Sequence, residues 1–188
     1  MHSKGIHECS VRNAAIDPHF EYLATTGCDG SLHITSIKDL NNHSKVKTLK
    51  VTKKQVTPED NQLLEVAWSA DGGNFLYAAG DTQLVIINRK DGFSQGFAPT
   101  ITHEKEISAV KVLSPNCLIT AGLDKSIKVW HTPQSDLTGA TCIYKAKVNQ
   151  MVTTLKYSTK NQSIAFMDSE CSLGIIPLNL SKFGNPQA

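Results

Sequence analysis

With 188 residues, 40% of them hydrophobic and 19% charged, the chain has the composition of a folded globular protein, far from the disordered range. A net charge of +2 is too small to mark a polyanion-binding protein by itself, and no run of about 18 apolar residues is present to cross a membrane. The opening Met-His-Ser-Lys-Gly-Ile-His lacks the apolar segment of an export signal. The five cysteines, Cys9, Cys28, Cys117, Cys142 and Cys171, form no Cys-x-x-Cys pair. Reduced thiols in the nucleus or cytosol are expected, with no disulfide framework and no zinc or other metal site.

Taken in chain order, the sequence repeats one plan four times. Val11 to Ile16 alternates and stops at Asp17-Pro18, Tyr22–Thr25 gives a second strand, and Ser31–Ile34 a third after the Cys28-Asp29-Gly30 turn. Lys45 to Val51 supplies a fourth. The plan returns as the run from Leu64, Phe75–Ala78, Gln83–Ile86 and Gly96–Ile101. It returns again as the run from Ile107, Cys117–Thr120, Ser126–Val129 and Ala140–Lys145. The last copy has Val152 to Ser158, Ser163–Phe166 and Ser172–Ile175, and the closing "PLNLSKFGNPQA" offers no comparable fourth strand. Equivalent first strands, taken at Val11, Val66, Ile107 and Val152, are spaced by 55, 41 and 45 residues. Units of about 40–45 residues holding several strands predict an all-β propeller of about four blades, with approximate limits 1–51, 52–101, 102–147 and 148–180 and a tail at 181–188.

The clearest copy, "THEKEISAVKVLSPNCLITAGLDKSIKVWH" (Thr102–His131), resembles the WD-repeat family. That resemblance implies a structural network in which His103 precedes the first strand, Thr120 lies in the second, Asp124 in the turn and Trp130 at the end of the third. In the first unit His7 and Asp29 hold the matching places, but Thr35 stands where the tryptophan belongs. These residues recur at one repeat position, so they are expected to stabilise blades and not to form an acid–base pair. The second and fourth units keep only Asp81 and Asp168 near the turn, with no matching histidine. WD-repeat rings commonly hold about seven blades, so the chain is expected to be the C-terminal part of a larger ring. An open blade edge left by such a piece calls for further blades, a dimer or a partner chain.

No phosphate-cradling glycine loop, nucleophile elbow or His-Glu-x-x-His motif occurs, so no catalytic residue and no cofactor is expected. Asp17, Glu65 and Glu170 read as isolated surface acids, and Trp68 and Tyr77 as core. The turn residues His19, Phe20, Asn74 and Asn116 are candidates for a docking face. "HSKVKTLKVTKK" carries Lys45, Lys47, Lys50, Lys53 and Lys54 with no acid among them, and reads either as a phosphate-contacting stretch or as a solvated edge strand.

A narrower resemblance lies in "AIDPHFEYLATTGCDGSLHI", "EVAWSADGGNFLYAAGDTQLVII" and "IAFMDSECSLGIIPL". In order, the units are similar to the last four blades of the N-terminal propeller of the WD-repeat and HMG-box DNA-binding protein family, an adaptor between the replicative helicase and DNA polymerase alpha. The resemblance implies a nuclear, non-enzymatic replication or chromatin scaffold that docks replisome proteins and reaches DNA. The alternative is a generic WD-repeat subunit, nuclear or cytoplasmic, of a ubiquitin ligase or a ribosome-assembly complex.

Overall fold

Short alternating runs separated by tight turns leave each strand one neighbour on either side in sequence, and antiparallel pairing of consecutive strands is the result. The computed structural model describes residues 7–8, 10–39, 47–50 and 65–180. Its strands are β1 (Val11–Ile16), β2 (Tyr22–Gly27), β3 (Ser31–Ser36), β4 (Lys47–Lys50), β5 (Glu65–Trp68), β6 (Phe75–Ala79), β7 (Gln83–Asn88), β8 (Ser94–Thr102), β9 (Ile107–Ser114), β10 (Cys117–Gly122), β11 (Ser126–His131), β12 (Thr141–Lys147), β13 (Val152–Ser158), β14 (Ser163–Asp168) and β15 (Leu173–Pro177). A 3-10 turn, Ile37–Asp39, follows β3.

The strands form four antiparallel sheets in simple up-and-down order: β1-β2-β3-β4, β5-β6-β7-β8, β9-β10-β11-β12 and β13-β14-β15. These are blades one to four of a propeller arc. Consecutive blades bury the facing sides of their sheets against each other. Ala24, Leu32 and Ile34 of blade one pack on Val66, Leu76 and Val85 of blade two. On its other side, blade two sets Leu84, Ile86 and Ile101 against Val110, Leu118 and Trp130 of blade three. Ile119, Ile127 and Val129 of blade three then meet Leu155 and Ile164 of blade four. The interior is therefore a row of three sheet-on-sheet seams, which is why the central strands are apolar on both faces.

Backbone hydrogen bonds repeat with the blades. At one end, the residue after the third strand donates to the turn between the first two: Ile37 to Glu21, Arg89 to Asn74, Thr132 to Asn116 and Leu178 to Gln162. At the other end the turn after the second strand meets the lead-in to the first, as in Cys28 to Ser10 and Ser169 to Met151. The two faces of the arc are thus built differently but consistently.

Two features of the sequence reading are corrected here. Asp17 and Glu65 are not surface acids, being only 1% and 5% exposed. Cys28 is not a free thiol but is disulfide-bonded, while Cys117, Cys142 and Cys171 are free. Cys117 is buried, which pushes its thiol up to about 11 and makes it a core residue.

Candidate functional site

Each blade network is built by a turn that must bend sharply and a histidine that must lie over it. Gly122 precedes the turn of blade three, and a Cβ there would stand 2.7 Å from His103 Nδ1. In blade one the equivalent distance from Gly27 to His7 Nδ1 is 2.4 Å. Glycine is required at both positions by this close approach. Inside the turns Gly30 and Lys125 occupy the same place with φ of 69° and 61°, so only blade one has the residue best suited to that conformation.

In blade three the network is a directed relay. Trp130 Nε1 donates to Thr120 Oγ1 at 2.8 Å, and the Thr120 hydroxyl donates to His103 Nε2 at 2.7 Å. That leaves the hydrogen of His103 Nδ1 for Asp124 Oδ1 at 3.0 Å. Asp124 also accepts the Glu104 and Ser126 N–H groups and the Ser126 hydroxyl. Burial pushes the Asp124 carboxyl up, but the bonds from Ser126, His103 and Glu104 outweigh it and hold it well below the usual range. Burial likewise lowers the His103 imidazole and keeps it neutral, against the pull of Asp124. Every member of the relay thus has a hydrogen-bond partner within the blade.

Blade one repeats the frame with two changes. His7 Nε2 lies 2.9 Å from Thr25 Oγ1, and His7 Nδ1 is 3.3 Å from both oxygens of Asp29. Ser31 takes the place of Ser126, its hydroxyl donating to Asp29 Oδ1 at 2.6 Å. Burial works against ionisation of Asp29, but Ser31, the Glu8 N–H and His7 together bring it down to about 2. The tryptophan is absent, Thr35 being buried in its place, and His33 stands where blade three has Lys128. His33 Nε2 is 2.9 Å from Ser31 Oγ, its Nδ1 is 3.1 Å from Thr48 Oγ1, and its ring sits edge-on to His7 at 4.2 Å between centroids. His7, Asp29 and His33 bring one ligand atom each within 4.8 Å of one another, the one such group of metal-binding side chains among the described residues.

Sequence reasoning named His7, Asp29, His103, Thr120, Asp124 and Trp130 but missed Ser31, Ser126 and His33. The serines had a visible signal, since Asp-x-Ser recurs in "CDGS" and "LDKS". His33 had none, because nothing in the repeat marks that place. Asp81 caps only its own turn through Thr82, and Asp168 only its own through Glu170 and Ser172. Thr26, on the strand beside this network, buries a hydroxyl with no partner where blade three has Ala121.

The buried acids tie blades together. Asp17 accepts the N–H groups of His19, Glu21 and Tyr22, and pairs with Arg89 of blade two at 3.1 Å. Arg89 also pairs with Glu21 and covers the Tyr22 ring at 4.8 Å. Burial raises the Asp17 carboxyl, and these hydrogen bonds with Arg89 bring it below its ordinary value. Glu65 Oε2 accepts the Val110 N–H at 2.9 Å and its other oxygen pairs with Lys111, joining the first strands of blades two and three. Trp68 donates to the Ala15 carbonyl and Tyr77 to the Ser135 carbonyl, so both are interblade residues of the core.

The possible docking residues are unequal. Phe20 is 74% exposed, in a left-handed turn, and His19 beside it is exposed, whereas Asn74 and Asn116 are half-buried. Of the lysine stretch, Lys47 and Lys50 lie on β4, and Lys47 spends its amine on the Gly92 carbonyl of blade two. Lys45, Lys53 and Lys54 lie outside the described residues. The flanks of the arc are apolar. Leu173 and Ile175 of blade four are 70% and 66% exposed, and Val11 and Ile16 of blade one are also exposed.

The comparisons agree with this geometry. The model of the WD domain, G-beta repeat family matches residues 2–36 and 98–131, which include the two networks just described. No curated protein matches the chain. Among solved structures, a chain of the Mitotic Checkpoint Complex is similar with a TM-score of 0.70 at 17% identity, and U3-55K with 0.63 at 15% identity. Each match covers 92% of this chain, but only 51% and 53% of the other, so the chain spans about half the length of these two. The computationally designed Ika4 protein is similar over 92% of this chain and 94% of its own, with a TM-score of 0.63 at 12% identity. The chain is a four-bladed arc of β-propeller, and two of its blades carry segments that match the WD domain, G-beta repeat family.

Proposed function

We propose that the chain is a non-enzymatic docking scaffold, one part of a larger propeller assembly, serving as a replication or chromatin adaptor in the nucleus. WD-repeat propellers generally bind other proteins, and an arc with open flanks fits a partner. The observation that carries the proposal is the covering of equivalent positions. Ile127 and Val129 of blade three correspond in register to Leu173 and Ile175 of blade four. The first pair is fully buried by the neighbouring blade, while the second pair stands in solvent. A surface of this composition is what a further blade or a partner chain would seat on. Phe20 offers a separate aromatic anchor on the turn face. The replication reading rests on the three sequence segments that resemble the helicase–polymerase adaptor family, and Lys45, Lys47, Lys50, Lys53 and Lys54 are the residues assigned to phosphate.

The test is direct binding of the purified chain to replicative helicase components and DNA polymerase alpha, with a labelled duplex titrated in parallel at about 50 and 200 mM salt. Saturable binding of either protein supports the adaptor. Duplex binding that weakens with salt, and loses part of its salt slope when the five lysines become glutamine, supports the phosphate assignment. Binding to neither protein would sink the replication reading while leaving the scaffold in place.

A further inference from the structure

The two places where blade one departs from blade three act on the same three atoms. In blade three Thr120 Oγ1 accepts from the Trp130 indole and lies 2.7 Å from His103 Nε2, while His103 Nδ1 meets Asp124 Oδ1 at 3.0 Å. With Thr35 in the tryptophan's place, Thr25 Oγ1 has only His7 Nε2 before it among the described residues. Thr25 is free to accept, and His7 is free to carry its hydrogen on Nε2, which bares the lone pair of Nδ1. That lone pair, the Asp29 carboxylate 3.3 Å away and Ser31 Oγ 3.0 Å away then face one corner. The longer separation here than the 3.0 Å of blade three fits a weaker direct bond.

The second departure supplies the missing ligand. Lys128 cannot bind a metal beside His103, whereas His33 presents Nε2 to the same corner. Its other nitrogen is held by Thr48 just as His7 is held by Thr25. Each imidazole thus has one nitrogen aimed inward and the other fixed by a threonine hydroxyl, the second-shell arrangement that orients histidine ligands.

We infer that His7 Nδ1, Asp29 and His33 Nε2 form a binding site for a divalent transition ion, best suited to Zn2+, in blade one. Two imidazoles and a carboxylate are a zinc donor set that keeps a fourth position for water. The ligand atoms, within 4.8 Å of one another, close by up to about 1.4 Å to reach tetrahedral zinc bond lengths near 2.0–2.1 Å. Ser31 Oγ now sits among the three, and rotation about its Cα–Cβ bond withdraws it. The residues come from the lead-in to β1, the turn after β2 and the middle of β3, which is why no sequence spacing announces them.

The experiment is a Zn2+ titration of the whole chain by calorimetry, with Co2+ absorption reporting coordination and imidazole 15N shifts reporting the atoms. One equivalent is expected to bind, shifting His7 Nδ1 and His33 Nε2 and raising the melting temperature by several degrees at 100-fold excess over Kd. His33→Lys gives blade one the residue that blade three already tolerates, so it should fold and lose at least about 100-fold in affinity. Ser31→Ala, which removes the hydroxyl from the corner, should bind at least as tightly as the parent. Absence of stoichiometric binding to the parent chain would overturn the site, as would binding that survives His33→Lys or 15N shifts confined to His19 and His131.

Discussion

An indole, a threonine, a histidine and an aspartate form one chain of contacts across blade three. In blade three Trp130 saturates Thr120, and the chain of donors ends on Asp124 with nothing unpaired. Trp130→Phe removes the first donor and leaves a small void, and Asp124→Asn puts an amide where two backbone N–H groups need an acceptor. Each is expected to cost about 1–3 kcal/mol in chemical denaturation. An unchanged transition for both would remove the relay from the account of stability. The recurrence of His, Asp and Thr made most of this relay legible in the sequence. What the sequence hid was the corner formed in blade one, because nothing in the repeat marks His33 as the residue that reaches Ser31 and Thr48.

At the scale of the strand, alternation and turn residues located all fifteen strands among the described residues, since each signal is local and repeats four times. Polar residues inside the seams were not legible. Glu65 opens β5 with no sequence mark separating it from a surface acid, yet it is buried because β9 lies beside it and offers the Val110 N–H and Lys111. Its carboxylate joins two sheets that share no backbone hydrogen-bond ladder. Glu65→Gln keeps an acceptor for Val110 but leaves the Lys111 amine half-buried without a counter-charge, at an expected cost of about 1–2 kcal/mol. Glu65→Ala also orphans the Val110 N–H, and about 2–4 kcal/mol is expected. Urea transitions of the two variants give the comparison, and an alanine variant within about 0.5 kcal/mol of the parent would show that the strut is dispensable.

For the whole arc, the decisive asymmetry is between the flanks. Blade four offers Met167, Leu173 and Ile175 on the side turned away from blade three, while Ile176 on the opposite side of the same strand packs inward. Blade one offers Ile16 on the side turned away from blade two, while Ala15 packs inward. In register Ile16 matches Val112, which faces blade two, and Leu173 matches Ile127, which faces blade four. One flank is therefore the natural complement of the other, and contact between them is head-to-tail rather than self-paired. Such contact closes a ring if the rotation allows and otherwise extends, so the isolated chain should associate with itself when no further blades are supplied. Light scattering after size exclusion is expected to show a concentration-dependent dimer or larger species. Leu173→Lys with Ile175→Lys places two charges on one flank and should give a monomer whose thermal transition is preserved, since both side chains already stand in solvent. A parent chain that stays monomeric at 100 μM, or a double variant that still associates, would mean that these apolar flanks do not seek each other.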